Sequence, residues 1–405
     1  MINITQKPVL LVFGMTYNQI PLIQKGQEIG YHVIAIGKGG GVCDVIADEW
    51  FSIDTSDKET VLRLAKEKQV KAMITCGTST PICTIAYVNE KLNISDKTIS
   101  YETALNATYK NRFRKIIPEL LPKGIESSDS RYAYKVMKNI EPPYVLKPAD
   151  GGGGKGITVI YSNNEDEFKT AFEYALNYSY NSTVIAEQFI IGKIIGVESL
   201  TIDGKVNALV IPDKTVTPPP RCITLGLTMP TNLTKEIQDR VLEINQKAIS
   251  TLGIKWGPTH IDMAIDKNGV PYIIDIGPRL AGGPVWAELL SRMYDYDFYK
   301  AAIELSAGIM PLNIPQRTNE TYFSERFVIS KETGKLENIK LPKKEMLAEC
   351  NILSYRQLVK NGTMLKANDN DGDRICMFTA HGNSYDDLNS SQDLFESSIN
   401  IEVVR

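Results

Sequence analysis

Apolar runs and amphipathic segments alternate through the first quarter of the chain. Continuous apolar runs bounded by glycine predict buried strands, and apolar residues at helical spacing predict helices that cover them. We therefore expect strands at 8–14, 31–37 and 70–76 and helices at 19–30, 57–68 and 80–92. Alternation at this spacing indicates a parallel sheet with helices on its faces, and ligands lie beyond the carboxyl ends of such strands.

The pattern changes after residue 100, where strand-like runs become more frequent than helices. A mixed helical and turn region at 101–140 comes first, and Asp203-Gly204 and Asp266–Gly269 later mark the turns of two hairpins. The remaining expected elements are helices at 164–177, 234–252 and within 284–307, strands at 184–190, 200–210, 257–265 and 270–276, an extended loop at 215–224, and a smaller α+β unit over 320–405.

One segment joins an apolar run to a glycine-rich loop with a lysine on each side. Pro143-Tyr-Val-Leu-Lys147 leads to Gly151, Gly152, Gly153 and Gly154, then Lys155 and Gly156, and the β-rich run 157–161 follows. Phosphate loops of the two common glycine fingerprints open a helix, which this one does not. Glycine leaves backbone N–H groups open to a phosphate chain. The segment predicts strand, phosphate-binding loop and strand; a flexible hairpin is the plainer alternative.

Two aspartates lie within apolar strands that we expect to be neighbours. Asp262 lies in Thr259-His-Ile-Asp-Met263, and Asp275 lies in Ile273-Ile-Asp-Ile-Gly277. A carboxylate at such a position is costly to bury without a partner. Mg²⁺ takes one or two carboxylates together with substrate phosphates, and Arg279 offers bidentate donors to an anion. The alternative is a bend capped by Asp262 and an ordinary salt bridge between Asp275 and Arg279.

Histidine chemistry is sparse in this chain. There are three histidines, His32, His260 and His381, and no two have the spacing of zinc ligands. His260 lies two residues before Asp262, so both side chains point to the same face of a strand. His260 is therefore a candidate member of the same site.

Composition and charge narrow the classes of partner. With 405 residues, 43% hydrophobic and 23% charged, the chain resembles an ordinary soluble protein of several domains. A net charge of −3 gives no basic field for nucleic acid or an anionic membrane. The six cysteines are scattered, and neither a signal peptide nor a membrane-length apolar run is evident. We therefore expect a cytoplasmic protein with reduced thiols.

Taken in order, these segments resemble the ATP-grasp superfamily, in particular carboxylate–amine ligases similar to the bacterial L-amino-acid ligases. The resemblance runs over essentially the whole chain and implies a mixed α/β and α+β architecture, the ATP-grasp fold. Its expected divisions are an N-terminal parallel-sheet domain at 1–100, a lid subdomain at 101–185, a central subdomain at 186–312 and a C-terminal α+β unit at 313–405.

The resemblance also implies roles for particular residues. ATP and Mg²⁺ (or Mn²⁺) are the expected cofactors, with the glycine loop closing over ATP as a lid. The residues that match are Lys110, Lys147 and Lys155 for the phosphates, Glu187, Gln188 and Phe189 for the adenine, Asp262 and Asp275 for the metal, and Arg279 for the transferred phosphoryl group.

The chain departs from the family pattern at several positions. Both metal acids are aspartate where glutamate is usual, and Gly277 stands where many members have a metal-binding asparagine. Ile194 replaces an acid that often meets the ribose, which leaves Glu198 as the nearest candidate. Substrate contacts are expected at His260, at Gly282 and Gly283, and at Arg221 of a proline-rich loop similar to one near the acceptor pocket of L-amino-acid ligases.

The implied reaction activates a carboxylate as an acyl phosphate and joins it to an amine. The expected partners are small-molecule carboxylates and amines, with no nucleic acid and no membrane, and a homodimer is open. Two alternatives remain: an ATP-grasp ligase of another acceptor class, such as a purine-pathway or carboxylase-like enzyme, and a catalytically silent nucleotide-binding protein.

Overall fold

The N-terminal region forms a parallel sheet with helices on its faces, as the sequence predicts. The computed structural model describes residues 7–39, 42–150, 154–318, 320–340, 342, 344–367 and 373–404. Its first elements are β1 (Val9–Phe13), α1 (Ile20–Glu28), β2 (His32–Gly37), β3 (Glu49–Ser52), α2 (Lys58–Glu67), β4 (Val70–Thr75) and α3 (Ile82–Leu92). The strands are ordered β3-β2-β1-β4. Strand β3 is absent from the sequence predictions because it is a short edge strand with alternate residues exposed.

The next region forms a second, antiparallel sheet. Its elements are α4 (Tyr101–Thr108), α5 (Lys110–Ile116), β5 (Gly124–Ser127), α6 (Ser130–Met137), β6 (Tyr144–Pro148), β7 (Thr158–Ile160), α7 (Glu165–Leu176) and β8 (Val184–Gln188). The strand order is β5-β8-β6-β7. Strands β6 and β7 flank the glycine-rich segment and pair with each other, so the predicted strand–loop–strand is confirmed. The predicted phosphate contacts Gly151, Gly152 and Gly153 lie outside the described residues.

The centre of the molecule is built on a long antiparallel sheet that continues into the C-terminal region. The central elements are β9 (Lys193–Ile202), β10 (Lys205–Val210), β11 (Asp213–Val216), β12 (Thr224–Met229), α8 (Lys235–Thr251), β13 (Gly257–Ile265), β14 (Pro271–Gly277), a π-helix (Val285–Leu290), α9 (Ser291–Tyr294) and α10 (Phe298–Ser306). The C-terminal elements are β15 (Tyr322–Ile329), β16 (Gly334–Lys340), α11 (Lys344–Glu349), β17 (Ile352–Gln357), β18 (Met364–Leu365), β19 (Arg374–Gly382), α12 (Tyr385–Ser397) and β20 (Asn400–Val404).

The sheet connections cross the expected domain boundaries, which stay a prediction. The long sheet runs β14-β13-β9-β11-β12-β15-β19-β17, so the region after 313 continues the central sheet. Three of its strands extend the central sheet, while β18, β16 and β20 form a small sheet of their own. Strand β8 crosses the expected boundary at 185, and Phe113 and Ile117 of the expected lid pack in the core of the central region with Val241 and Ile249.

Strand register brings the chemistry-bearing residues together. Strands β13 and β14 pair with Asp262 directly opposite Asp275, and β13 pairs with β9 so that His260 lies opposite Glu198. Three neighbouring strands therefore present four ionisable side chains over a short distance. The predicted hairpin at 257–276 is confirmed, and it fixes the position of the candidate site.

The lid subdomain has a core of its own, which makes its stability separable from that of the rest. Phe168 is 1% exposed and packs edge-to-face against Tyr144, whereas Tyr180 in the same subdomain is 93% exposed. We expect Phe168→Ala to lower the local unfolding free energy by about 3–5 kcal/mol. Amide hydrogen exchange in β6 and β8 is then faster, while β1 and β4 are unaffected. Tyr180→Ala is the matched control, and equal exchange in both variants contradicts the assignment of this core.

Candidate functional site

Most of the predicted site residues line one cavity of about 850 Å³ between the lid strands, the central sheet and strand β15. The structure therefore brings together residues from distant parts of the sequence. Those at the wall are Lys110, Lys147, Gly154, Lys155, Glu187, Gln188, Phe189, Glu198, His260, Asp262, Asp275, Arg279, Gly282 and Gly283.

The two aspartates are neighbours on the paired strands β13 and β14, and each forms an ion pair with a lysine. Lys110 Nζ lies 2.6 Å from Asp275 Oδ1, and Lys214 of β11 binds Asp262 Oδ1. Burial alone would raise the pKa of each carboxyl, but the lysine charges outweigh it and lower the pKa of both. Both carboxylates are therefore ionised at neutral pH, which is the state that a cation requires.

His260 connects this pair to a third acid. Its Nε2 lies 3.0 Å from Asp262 Oδ1, and its Nδ1 lies 2.5 Å from Glu198 Oε1. Burial would lower the pKa of His260, but the Glu198 and Asp262 carboxylates outweigh it and raise that pKa. His260 therefore lies beside Asp262, as the strand parity predicts, and contributes positive charge there.

Glu198, predicted as a ribose contact, has protein partners on both of its carboxylate oxygens. Its carboxylate is fully buried, with one oxygen at His260 and the other accepting from Trp286 Nε1 at 2.7 Å. Gly196 of β9 pairs with Asp262, and Glu198 lies two residues further along the same strand. In this structure Glu198 holds the orientation of His260, and the ribose contact stays a prediction.

Lys147 and Glu187 form a buried ion pair that includes an arginine missed by sequence reasoning. Glu187 Oε1 is 2.5 Å from Lys147 Nζ, and its Oε2 is 2.5 Å from Arg114 Nη1. Burial lowers the pKa of Lys147, and the Glu187 charge opposes that change. Both oxygens of the Glu187 carboxylate are thus bound by these two cations. The next two residues, Gln188 and Phe189, also line the cavity.

Arg279 follows directly after the acidic hairpin. Its Nη1 donates to Leu280 O at 3.1 Å, whereas its buried Nε has no hydrogen-bond partner within the described ranges. The next loop approaches the N-terminal domain closely, because a Cβ on Gly282 would lie 3.1 Å from the Cα of Gly77. Gly283 N donates to Asn18 Oδ1 at 2.8 Å. The N-terminal domain therefore holds this corner of the cavity.

The lid side contributes a lysine and two glycines with left-handed backbone. Lys155 is exposed at the cavity wall, and Gly154 and Gly156 have φ of +73° and +75°. A Cβ on Gly156 would meet Pro148 at 2.8 Å, so glycine is required where the chain returns to β7.

Arg221 lies away from the predicted substrate position. Its Nη1 donates to Ile157 O and Thr158 Oγ1, both at 3.0 Å, and its guanidinium lies 4.5 Å from the centroid of Tyr174. Cation–aromatic stacking and two hydrogen bonds tie the proline-rich loop to the lid. In this structure Arg221 links the proline-rich loop to the lid, and its substrate contact stays a prediction.

Sequence reasoning missed four residues of the site: Arg114, Lys214, Trp286 and Glu325. Lys214 lies on a short polar strand and Glu325 on a longer, largely apolar one, and no motif marks either residue. Trp286 is fully buried, yet it donates to Glu198. Arg114 belongs to the basic run at 110–115, in which Lys110 alone carried a family match.

The donor set at the acid pair fits Mg²⁺. Two carboxylates on paired strands offer hard oxygen ligands, and Mg²⁺ usually takes one or two of these and completes its shell with phosphates and water. In the described part of the chain, no group of three histidine, cysteine, aspartate or glutamate side chains could hold a metal on its own. The site therefore suits a metal shared with a bound phosphate chain.

The Glu187 ion pair makes a prediction about stability. Arg114→Met leaves one oxygen of a carboxylate that is 2% exposed without its donor, and we expect a loss of about 1–3 kcal/mol in unfolding free energy. Arg112→Met is the control on the same helix, since Arg112 pairs with Glu102 at the surface, where such pairs contribute about 0–1 kcal/mol. Urea unfolding followed by tryptophan fluorescence measures both. Equal losses contradict the buried role of Arg114.

Comparison with known proteins agrees with this geometry. Residues 107–283 match the model of an ATP-grasp domain family. Alanine–anticapsin ligase of Bacillus subtilis is 26% identical over 212 residues, which cover 45% of this chain and 43% of that protein. The chain thus spans less than half the length of that relative.

Two solved structures share the fold along nearly the whole chain. An L-amino acid ligase from Bacillus licheniformis has a TM-score of 0.81 at 18% identity and covers 99% of this chain and 100% of its own. The biotin carboxylase domain of the Hydrogenobacter thermophilus 2-oxoglutarate carboxylase, solved as a dimer with MgADP and bicarbonate, has a TM-score of 0.76 at 19% identity and covers 99% and 92%. Residues 107–283 therefore match an ATP-grasp domain, and nearly the whole chain shares the fold of the L-amino acid ligase.

Proposed function

We propose that this protein is an ATP-dependent ligase that activates a carboxylate as an acyl phosphate and joins it to an amine. The observation that carries the proposal is the pair Asp262 and Asp275, cross-strand neighbours paired with lysines, in one cavity with Arg279, Gly154 and Lys155. ATP is the nucleotide that an ATP-grasp domain uses, and we extend this to ATP with Mg²⁺ (or Mn²⁺) at the acid pair.

A carboxylate is a poor electrophile because its charge repels an amine and its oxide is a poor leaving group. Transfer of the γ-phosphoryl group of ATP to the carboxylate oxygen creates an acyl phosphate, which an amine can attack as inorganic phosphate departs. The metal, when bound, neutralises the developing phosphate charge. The rest of the work is positioning and charge stabilisation by the chain itself.

Cation binding at the acid pair would redistribute the lysines. Lys110 and Lys214 pair with Asp275 and Asp262, and with a cation on those carboxylates both ammonium groups would be free to bind phosphate oxygens. Lys147 and Lys155 line the same cavity and complete the positive surface. The unpartnered Nε of Arg279 is a donor open to the transferred phosphoryl group and the acyl phosphate. The glycine lid keeps water from the hydrolysable intermediate.

One observation supports a second candidate function, in which the acceptor is not an amine. The biotin carboxylase neighbour was solved with bicarbonate, so a carboxylating ligase is the second candidate. A catalytically silent binder stays the third, because Gly277 and Ile194 depart from the family pattern. ADP release that requires a carboxylate and an amine supports the first reading, bicarbonate dependence supports the second, and nucleotide binding without turnover supports the third.

Oligomeric state and location belong to the same proposal. A homodimer is open, and light scattering on the purified chain decides it; we expect a cytoplasmic location. None of the helices in the described ranges is long and apolar enough to cross a membrane.

Activity is tested with the acid pair. Purified protein is incubated with ATP, Mg²⁺ and pairs of proteinogenic amino acids, and phosphate release and product mass are measured. We expect Asp275→Asn to reduce product formation by about 100-fold or more, because loss of a metal ligand removes several kcal/mol of charge stabilisation. Asp266→Asn, in the turn of the same hairpin, is the control, since Asp266 Oδ1 only accepts two backbone N–H bonds. An active Asp275→Asn variant contradicts the proposal.

Metal removal gives an independent test. Chelation with EDTA is expected to stop ADP release, and added Mg²⁺ or Mn²⁺ is expected to restore it, because the hard carboxylate oxygens of Asp262 and Asp275 prefer such ions. Full turnover in the chelator, with metal content checked by mass spectrometry, contradicts a metal role for this pair.

A further inference from the structure

Strand β15 places a buried glutamate, Glu325, in the wall of the cavity. The residue is 4% exposed, and its Oε1 is buried without a hydrogen-bond partner among the residues that the structure describes. A buried acceptor without a donor costs free energy unless a ligand satisfies it. This glutamate comes from the C-terminal region, outside the matched ATP-grasp domain at 107–283.

Glu325 lines the cavity, and its Oε1 lies against Gly283, another residue of the cavity wall. A Cβ built on Gly283 would lie 2.1 Å from Glu325 Oε1, so the carboxylate oxygen lies against the bare Cα of that glycine. Gly283 has φ of +69°, and its N–H is held by Asn18. Any other residue at 283 would displace the carboxylate. The oxygen therefore lies beside the loop that follows Arg279, the residue proposed to stabilise the acyl phosphate.

The other acids of the cavity already have donors. Glu187 is bound by Lys147 and Arg114, and Asp275 by Lys110. Asp262 is bound by Lys214 and His260, and Glu198 is bound by His260 and Trp286. Glu325 differs from these four acids because one of its carboxylate oxygens is buried without a hydrogen-bond partner in the described part of the chain, so it can accept from an ammonium or N–H donor of a substrate.

Charges on the surrounding elements set the proton affinity of this group. Burial raises the pKa of Glu325 to about 8, opposed by Arg374 on β19 and Lys214 on β11, and assisted by Glu288 of the π-helix and Glu198 on β9. Tyr299 of α10 also faces Glu325. A carboxylate with this proton affinity suits transfer of a proton near neutral pH, which an exposed glutamate does poorly.

We propose that Glu325 binds the ammonium group of the amine substrate and removes a proton from it before it attacks the acyl phosphate. This inference rests on the proposed ligase function and narrows its acceptor to primary amines that are protonated at neutral pH, such as the amino group of an amino acid. Bicarbonate, the acceptor of the runner-up, has no positive charge for Glu325 to hold.

The step balances in protons and bonds. R–NH₃⁺ and the Glu325 carboxylate become R–NH₂ and the Glu325 carboxylic acid. The amine lone pair then forms the C–N bond, the bond from the acyl carbon to the phosphate oxygen breaks, and inorganic phosphate leaves. The second proton on nitrogen passes to the departing phosphate. No oxidant, reductant or further reactant is consumed.

Hydroxylamine separates this role from the activation step. It is uncharged at neutral pH, so it captures an acyl phosphate without an ammonium site or a base. For Glu325→Gln we expect hydroxamate formation from ATP, an amino acid and hydroxylamine to stay within about threefold of the unmodified protein. Amide formation between amino acids, scored by product mass, is expected to fall by about 10²–10⁴-fold, the usual contribution of a general base.

Glu288→Gln is the matched control, because it removes a neighbouring acid held by Ser354 and leaves Glu325 in place. Since Glu288 raises the pKa of Glu325, its removal should move the acidic limb of the kcat/KM profile for the amine to lower pH while the amide product persists. In the unmodified protein that limb should lie near the Glu325 pKa of about 8, and in Glu325→Gln it should be absent.

The yields of hydroxamate and amide from Glu325→Gln decide the proposal. Hydroxamate formation retained with amide formation lost supports the proposal, whereas parallel loss of both products, or loss of neither, overturns it. If Glu325→Gln does not fold, Glu325→Asp is measured for the same ratio of products, and an unchanged ratio overturns the proposal. If the unmodified protein forms neither hydroxamate nor amide, the ligase function itself fails, which is a different result from a changed ratio.

Discussion

The site depends on one electrostatic constraint: two carboxylates, Asp262 and Asp275, lie opposite each other on paired strands. Like charges at such close range repel, and desolvation in the cavity wall adds to the cost. The protein offsets this repulsion with two lysines, Lys110 on Asp275 and Lys214 on Asp262. His260 adds a further contact, because it lies between Asp262 and the buried Glu198. In the proposed function a metal ion would take the place of the lysines on these carboxylates, and the lysines would bind the phosphate chain.

The sheet topology explains how so many charges reach one cavity. A single long sheet carries β13 and β14 with the acid pair, β11 with Lys214, β9 with Glu198 and β15 with Glu325. The lid sheet adds Lys147 and the N-terminal domain adds Asn18. Neighbouring strands therefore deliver acids and bases in register, and close approach at glycine lets separate domains share one wall.

Sequence reasoning succeeded where local pattern and chemistry coincide. Two segments were predictable because the residues that determine their backbone structure are also the candidate site residues. They are the apolar hairpin that ends at Gly277 and the glycine run after Lys147. The contacts of Arg221 with the lid were not predictable, because a proline-rich loop does not reveal which neighbour its side chain meets. The pairing of Glu198 with His260 was not predictable either, because it depends on strand register, which no single segment encodes. Glu325 escaped notice because its role depends on a strand pairing across about a hundred residues, β12 with β15.

Transfer of an oxygen atom tests the central claim most directly. A carboxylate activated as an acyl phosphate gives one of its own oxygens to the inorganic phosphate that leaves. An amino acid labelled with oxygen-18 in its carboxyl group is incubated with the protein, ATP, Mg²⁺ and an amine, and the phosphate is examined by phosphorus NMR. The account predicts phosphate that carries one labelled oxygen. Phosphate released without label, at the same rate, would contradict it.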